Sequence, residues 1–262
     1  FFDGTSNNKL NIREYRNNKY PWYSPSRWRV GISDSYKSDF SNVAILSDYY
    51  IRGWKNDIYY DRVYIEGIAT VPRENETDSG GVDDMLAAAI GMGAYGVNGK
   101  VERGCQLVTN KVCKILKSKR LTGTTIGSLY LDVFGFSRGA AAARRFVSCI
   151  DNPHGDWEES FGRLRLSFNI CLRKHFRGKG LYVKNITPCF LGLFDTVSSY
   201  GYNFKDDVQD LALQVPRPQK VVQLVAGDEY RKNFALTRIN TANKTRRDYP
   251  TWCTFRYWWK LL

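Results

Sequence analysis

The sequence is poor in histidine and has neither a long apolar segment nor a paired cysteine motif. Only two histidines occur among 262 residues, and the six cysteines form no C-x-x-C pair. Scattered cysteines argue against a zinc site or a disulfide scaffold, so we expect no metal and no other cofactor. The longest apolar candidate, Met85–Val97, is too short and too rich in Gly and Ala to predict a transmembrane helix.

The amino end lacks a basic region followed by an apolar one, which predicts that there is no signal peptide. The chain starts at Phe1 without Met, inside what reads as a strand, so we expect a fragment or a processed product. A hydrophobic content of 43% and an aromatic content of 15% suffice for a core. The length fits one large α/β domain or two small ones.

The net charge of +13 leaves three classes of partner open besides a plain solvated surface. Anionic lipid, an acidic partner protein and nucleic acid would each be attracted to a basic surface. The charges are spread along the chain, and no nucleic-acid motif is present, so we expect no nucleic-acid partner.

The most informative stretch is Leu129–Val147, where an apolar run meets G-F-S-R-G and passes into small, helix-forming residues. This order predicts a strand, a tight turn and a helix, with Ser137 exposed at the turn as in a nucleophile elbow. Gly135 and Gly139 suit such a turn because side chains there would collide with the neighbouring strand and helix. An idle serine at a Gly-rich corner is the alternative.

Two flanking segments complete an α/β pattern around this turn. Val101–Leu116 has apolar residues at steps of four and three, which predicts an amphipathic helix leading into the elbow strand. Ile186–Phe194 predicts a second apolar strand that ends at Asp195, where α/β enzymes place functional groups.

Four further elements are predicted from local pattern. Before the elbow, we expect a helix over Ser41–Tyr50 and a strand over Arg62–Thr70. After it, we expect surface helices or a mobile cover over Asp151–Gly180, and a helix over Val221–Phe234. The last helix would carry an ion-pair cluster of Asp228, Glu229 and Arg231.

The chain resembles one family along most of its length: the α/β-hydrolase-like phospholipase effectors of bacterial type VI secretion, first lipase class. The resemblance implies an α/β-hydrolase-like, mostly parallel sheet flanked by helices. It rests on six ordered motifs: FFDGTSNN at the start, SNVA at Ser41–Ala44, YIEGIAT at Tyr64–Thr70, GFSRGAA at Gly135–Ala141, FDTV at Phe194–Val197 and AGDEYRKNF at Ala226–Phe234.

The resemblance implies a serine ester hydrolase with Ser137 as nucleophile and Asp195 as the acid that orients a histidine. The amide of Arg138 would form half of an oxyanion hole, and Gly4 or Thr5 in the turn after the first strand would supply the other half. The family also implies a bacterial protein made in the cytoplasm and delivered by a secretion system to the periplasm or membrane of a target cell. Its expected partners are membrane phospholipid, secretion-spike proteins and an immunity protein.

The general base is missing from the expected place. The order in this fold is Ser, Asp, His, but His154 and His175 both precede Asp195. Relatives carry the histidine in a segment like P-G-V-H-S-D-I-G-G beyond the AGDEYRKNF motif. Some also have a histidine at the position of Gln223.

A reading frame displaced by one base permits that motif over Thr251–Trp259. Trp has the single codon TGG, so Trp252, Trp258 and Trp259 would all become Gly, and Thr254 could become His. We therefore expect a partial, C-terminally incomplete catalytic domain over 1–246 and a frameshifted, non-native tail over 247–262. The chain as written would have little or no activity. A soluble-substrate serine esterase and an inactive membrane- or partner-binding module are the alternatives.

Overall fold

The computed structural model of the chain describes residues 1–17, 33–74, 78, 81, 83–120, 123–152, 156–161, 163–201, 205–206, 213, 218–226, 236–239 and 252–257. The helices are α1 Lys9–Arg16, α2 Asp34–Lys37, α3 Asn42–Tyr49, α4 Met85–Ile90, α5 Val97–Ser118, α6 Arg138–Cys149 and α7 Leu172–Gly178. The strands are β1 Gly53–Lys55, β2 Ile58–Tyr60, β3 Thr125–Phe136, β4 Asp156–Phe161, β5 Leu164–Asn169, β6 Tyr182–Phe194, β7 Ser199–Tyr200, β8 Lys205–Asp206, β9 Lys220–Ala226 and β10 Trp252–Tyr257.

The central sheet is parallel and has the order β10-β9-β6-β3. Beyond β3 the sheet continues as single parallel bridges, from Gly135 to Phe2 and from Phe2 to Ile65. Because all these segments run in one direction, their carboxyl ends lie along one edge. The α/β class predicted from the sequence is confirmed.

The core forms between the sheet and the helices α5, α6 and α7. Val133 and Leu191, which are register partners on β3 and β6, are buried against this layer. Phe134 points the other way because strand residues alternate, and it stacks on Phe1 at 4.8 Å between ring centroids. In the part of the chain that the structure describes, no helix is long and apolar enough to cross a membrane.

Three sequence predictions of secondary structure are wrong. The segment 156–169 is an antiparallel hairpin of β4 and β5 instead of a helix pair, and only Leu172–Gly178 after it is helical. Val221–Ala226 lies in a strand instead of a helix. Ile65 makes one bridge, so Arg62–Thr70 is no regular strand.

The tail segment Trp252–Tyr257 pairs in parallel with β9 and forms the edge of the sheet. Aromatic residues and Thr favour strands, and four of the six residues in this stretch are of these types. The predicted ion-pair cluster of Asp228, Glu229 and Arg231 lies outside the described residues.

Candidate active site

Ser137 occupies a sharp turn between β3 and α6, at the carboxyl edge of the sheet. Its backbone has φ 55° and ψ −126°, a combination that side-chain-bearing L residues rarely adopt. Strain of this kind amounts to roughly 1–3 kcal/mol and is concentrated at functional sites. The residue is partly exposed. The strand, turn and helix predicted around Ser137 are therefore all present.

The two glycines of the turn are required by close backbone contacts. A Cβ on Gly135 would lie 2.5 Å from Cα of Ala140 in the following helix. A Cβ on Gly139 would lie 2.0 Å from the carbonyl oxygen of Asp3 in the adjacent N-terminal segment. Neither distance is tolerated between real atoms, so any side chain at these positions would push the helix off the sheet.

Asp195 follows the neighbouring strand β6, directly beside Ser137 in the sheet. Phe136 and Phe194, which precede the two residues, are register partners. The amide of Ser137 donates to the carbonyl of Phe194 at 2.9 Å, and the amide of Val197 donates to the carbonyl of Ser137 at 3.2 Å. The two turns are thus bonded to each other on both sides of Asp195.

The carboxylate of Asp195 reaches the end of the next strand. Its Oδ1 accepts a hydrogen bond from the amide of Ala226 at 2.5 Å. Like Ser137, Asp195 has a positive φ, of 44°. The structure places the carboxylate at the carboxyl end of β9, just before residues 227–235, which it does not describe.

Among the backbone amides around Ser137, two that have no acceptor within the described residues are those of Arg138, at the start of α6, and of Thr5, in the turn after Phe2. The amide of Gly4 differs, because it donates to Oδ1 of Asp3 at 2.7 Å. Of the two turn residues predicted for an oxyanion hole, Thr5 therefore has the available N–H group.

The side chain of Arg138 is buried and links three segments around the turn. Its Nε donates to Oγ1 of Thr5 at 2.9 Å. Its Nη atoms donate to the carbonyl oxygens of Ala88 and Ala89 near the end of α4. Burial lowers the pKa of this guanidinium to about 10, so it stays charged at neutral pH.

The carboxylate of Asp3 accepts several hydrogen bonds that hold the N-terminal turn in place. Besides the Gly4 amide, its carboxylate accepts hydrogen bonds from Oγ of Ser41 at 2.6 Å and from the Tyr64 hydroxyl at 2.5 Å. Ser41 in turn caps α3, since its Oγ accepts from the amide of Ala44. Burial raises the pKa of Asp3 even though these hydrogen bonds oppose that shift. The first three sequence motifs thus meet at one carboxylate.

A buried ion cluster supports the neighbouring loop. Glu66 accepts from Nζ of Lys100 at 2.9 Å and from Nε of Arg103 at 3.0 Å. Lys100 also donates to the carbonyl of Thr70 at 2.8 Å, and burial lowers its pKa. These contacts join α5 to the segment that follows Ile65.

The hydrogen-bonding contact of His175 is with Asn169 and not with the Ser137 turn. Its Nε2 lies 2.8 Å from the carbonyl oxygen of Asn169, and it lines a surface cleft of about 310 Å³ together with residues of α5. His154 lies outside the described residues. Where the chain is described, no cluster of three or more His, Cys, Asp or Glu side chains is arranged to hold a metal ion.

Sequence reasoning missed what the polar motif residues do. The motifs that contain Asp3, Ser41, Tyr64 and Glu66 predict no role for these side chains, and for Arg138 they predict a role only for the backbone amide. The one available signal was local: Asp3 follows two aromatic residues, and Ser41 precedes a short helical run. Their partners are as much as 133 positions apart, as for Thr5 and Arg138, and no local pattern reveals such pairs.

Comparison with known proteins identifies the fold. No protein-family model matches the chain, and no curated protein is significantly similar to it. Among solved structures, the chain is similar to the Tle1 effector bound to the VgrG spike from the type 6 secretion system, with a TM-score of 0.57 and 24% identity over 98% of this chain and 48% of that one. It also matches an uncharacterized protein from Pseudomonas aeruginosa, with a TM-score of 0.42 and 20% identity over 98% of this chain and 39% of that one. The chain thus spans about half the length of the Tle1 effector chain.

Proposed function

We propose that this chain carries the nucleophile half of a serine ester hydrolase that acts on membrane phospholipids as a bacterial type VI secretion effector. The observation that carries the proposal is the strained turn of Ser137 at φ 55° and ψ −126°. Asp195 on the neighbouring strand end and the two unoccupied amides of Thr5 and Arg138 support the same chemistry. The likeness to the Tle1 effector, itself bound to a secretion spike, supports the effector role.

In the proposed reaction, Oγ of Ser137 attacks the carbonyl carbon of the ester and forms a new C–O bond. The carbonyl electron pair moves to oxygen, and the amides of Thr5 and Arg138 donate to that oxyanion. When the intermediate collapses, the alcohol leaves with the proton that the serine lost. Water then cleaves the acyl-enzyme, releasing the fatty acid and restoring Ser137.

A general base must take the serine proton, and Asp195 would orient it. Serine alone is a weak nucleophile at neutral pH, so a Ser–Asp pair without imidazole gives little turnover. We propose that the histidine is lost from residues 247–262 through a displaced reading frame, because the motif P-G-V-H-S-D-I-G-G fits codon by codon over Thr251–Trp259. Sequencing the DNA from Asn240 past the stop codon tests this directly.

The substrate class is tested with the chain as written and with the frame-restored chain. Phospholipid vesicles and short soluble esters are offered to both, with Ser137→Ala as the inactive variant and Ser128→Ala, on the strand β3 that leads to Ser137, as the matched control. We expect fatty-acid release from vesicles only by the restored chain, and only with Ser137 present. Preference for soluble esters would instead support the soluble esterase, and Ser137-dependent turnover by the chain as written would contradict the missing-base argument.

The lack of a histidine after Asp195 favours one further candidate, an inactive module that binds anionic membrane or a partner protein. The charge of +13 suits such a surface. If the organism's own DNA confirms the present reading frame, and vesicle binding is the same with Ser137→Ala, this candidate takes precedence.

A further inference from the structure

We propose that the Arg138 side chain is a positioning residue that holds the amide of Thr5 beside its own amide, so that both point at one oxyanion. This inference rests on the proposed hydrolase function and deepens it. The side chain of Arg138 would thus have a role separate from that of its backbone amide.

The first support is the direct contact between the two residues. Thr5 lies in the turn after Phe2, and Arg138 begins the nucleophile helix α6. The hydrogen bond from Nε of Arg138 to Oγ1 of Thr5, 2.9 Å long, spans 133 positions of sequence. It joins two residues beside Ser137 whose amides have no acceptor in the described part of the chain.

The second support is that the far side of the guanidinium is also held. The Nη atoms donate to the carbonyl oxygens of Ala88 and Ala89, in the last turn of α4, where carbonyl groups attract cations. A planar guanidinium bonded on both sides cannot rotate freely. Its Nε therefore stays directed at Thr5, and the N-terminal turn is kept at a fixed distance from α6.

The third support is the charge balance of the site. Arg138 is only 2% exposed, and within the described residues its side chain touches hydroxyl and carbonyl oxygens but no carboxylate. Burying an unpaired charge is unfavourable. A negative charge that forms on the substrate oxygen would offset this cost, so the arrangement stabilises the intermediate more than the resting ester.

The test separates the side-chain link from the backbone donor. Thr5→Val removes the acceptor hydroxyl but keeps the amide, whereas Thr5→Ser keeps both. The rate constant and the half-saturation concentration for covalent labelling of Ser137 by an alkyl fluorophosphonate are followed by intact mass at alkaline pH. We expect Thr5→Val to slow labelling roughly tenfold, the value of one charge-assisted hydrogen bond, without changing half-saturation. Thr5→Ser should restore the rate.

Arg138→Lys provides a second reading of the same link. Lysine keeps the charge but lacks the fork that binds Thr5 and α4 together, so we expect slow labelling here as well. Equal labelling rates for wild type and Thr5→Val, or equal slowing by Thr5→Val and Thr5→Ser, would overturn the positioning role.

Amide hydrogen exchange distinguishes failure of the positioning role of Arg138 from failure of the hydrolase proposal. If Ser137 is unlabelled in every variant, the proposed nucleophile fails, and the catalytic part of the inference falls with it. Exchange of residues 3–8 then still decides the link. Roughly tenfold faster exchange in Thr5→Val but not in Thr5→Ser would show that Arg138 holds the turn, and unchanged exchange would refute it.

Discussion

Gly139 lies so close to Asp3 that a Cβ on the glycine would stand 2.0 Å from the aspartate carbonyl oxygen. This contact joins the first turn of α6 to the N-terminal segment. It brings Thr5 and Arg138 within hydrogen-bonding distance of each other, and it makes the site depend on backbone packing as much as on polar side chains.

Gly139→Ala should destabilise the fold strongly, because the added methyl group meets backbone that cannot move aside. Overpacking of this kind typically costs about 1–3 kcal/mol, and we expect the upper end. Urea unfolding measures the loss. Gly178→Ala is the matched control, since nothing beyond its chain neighbours and its own helix backbone lies within 4 Å of its Cβ position, and it should be neutral or slightly stabilising. Equal effects of the two changes would contradict the close contact.

Ser137→Gly should stabilise the chain while removing the proposed nucleophile. Glycine adopts a positive φ without strain, so we expect a gain of about 1 kcal/mol in the free energy of unfolding. Thermal and urea unfolding provide the measurement. A loss of stability would mean that the Ser137 side chain makes stabilising contacts that outweigh the backbone strain.

Asp3→Asn should remove one component of the pH dependence of stability. Burial raises the pKa of Asp3 in the folded chain, so its protonated form favours folding. That contribution is complete below the unfolded value of about 3.9 and is lost as pH rises through the higher folded pKa. Unfolding followed against pH should show a smaller decline over this window in the variant than in wild type. Parallel curves would show that Asp3 does not titrate as proposed.

Glu66→Gln should be among the most damaging polar substitutions, because it leaves Lys100 and Arg103 without their shared carboxylate. Removing one partner from a buried ion pair costs about 3–5 kcal/mol. Asp156→Asn is the control, since it breaks the exposed pair with Lys174 and should change stability by less than about 1 kcal/mol. Equal shifts of the unfolding midpoint in the two variants would show that burial does not increase the contribution of the Glu66 ion pairs to stability.

The sequence alone determined the strand–turn–helix at Ser137, the helices around Ser41–Tyr50 and Val101–Leu116, and the strand that ends at Asp195. Each has a strong local cause, whether a capping residue, a clear helical period, or an apolar run bounded by glycine and polar residues. Prediction from local pattern was wrong where the same composition is compatible with both a helix and a strand. The run at Val221–Ala226 is apolar throughout, and only its place between β6 and β10 makes it a strand.

The tertiary structure decided everything that depends on distant partners. The order β10-β9-β6-β3 places Ser137 and Asp195 on adjacent strand ends. Asp3 accepts a hydrogen bond from the amide of Gly4, whereas the amide of Thr5 has no acceptor in the described residues. The side chain of Arg138 joins that turn to α4 and α6. Sequence patterns show which residues alternate along a strand or cap a helix, because these features depend only on the nearby backbone. They do not record which polar groups meet across the sheet, because only the packed chain brings those atoms within bonding distance.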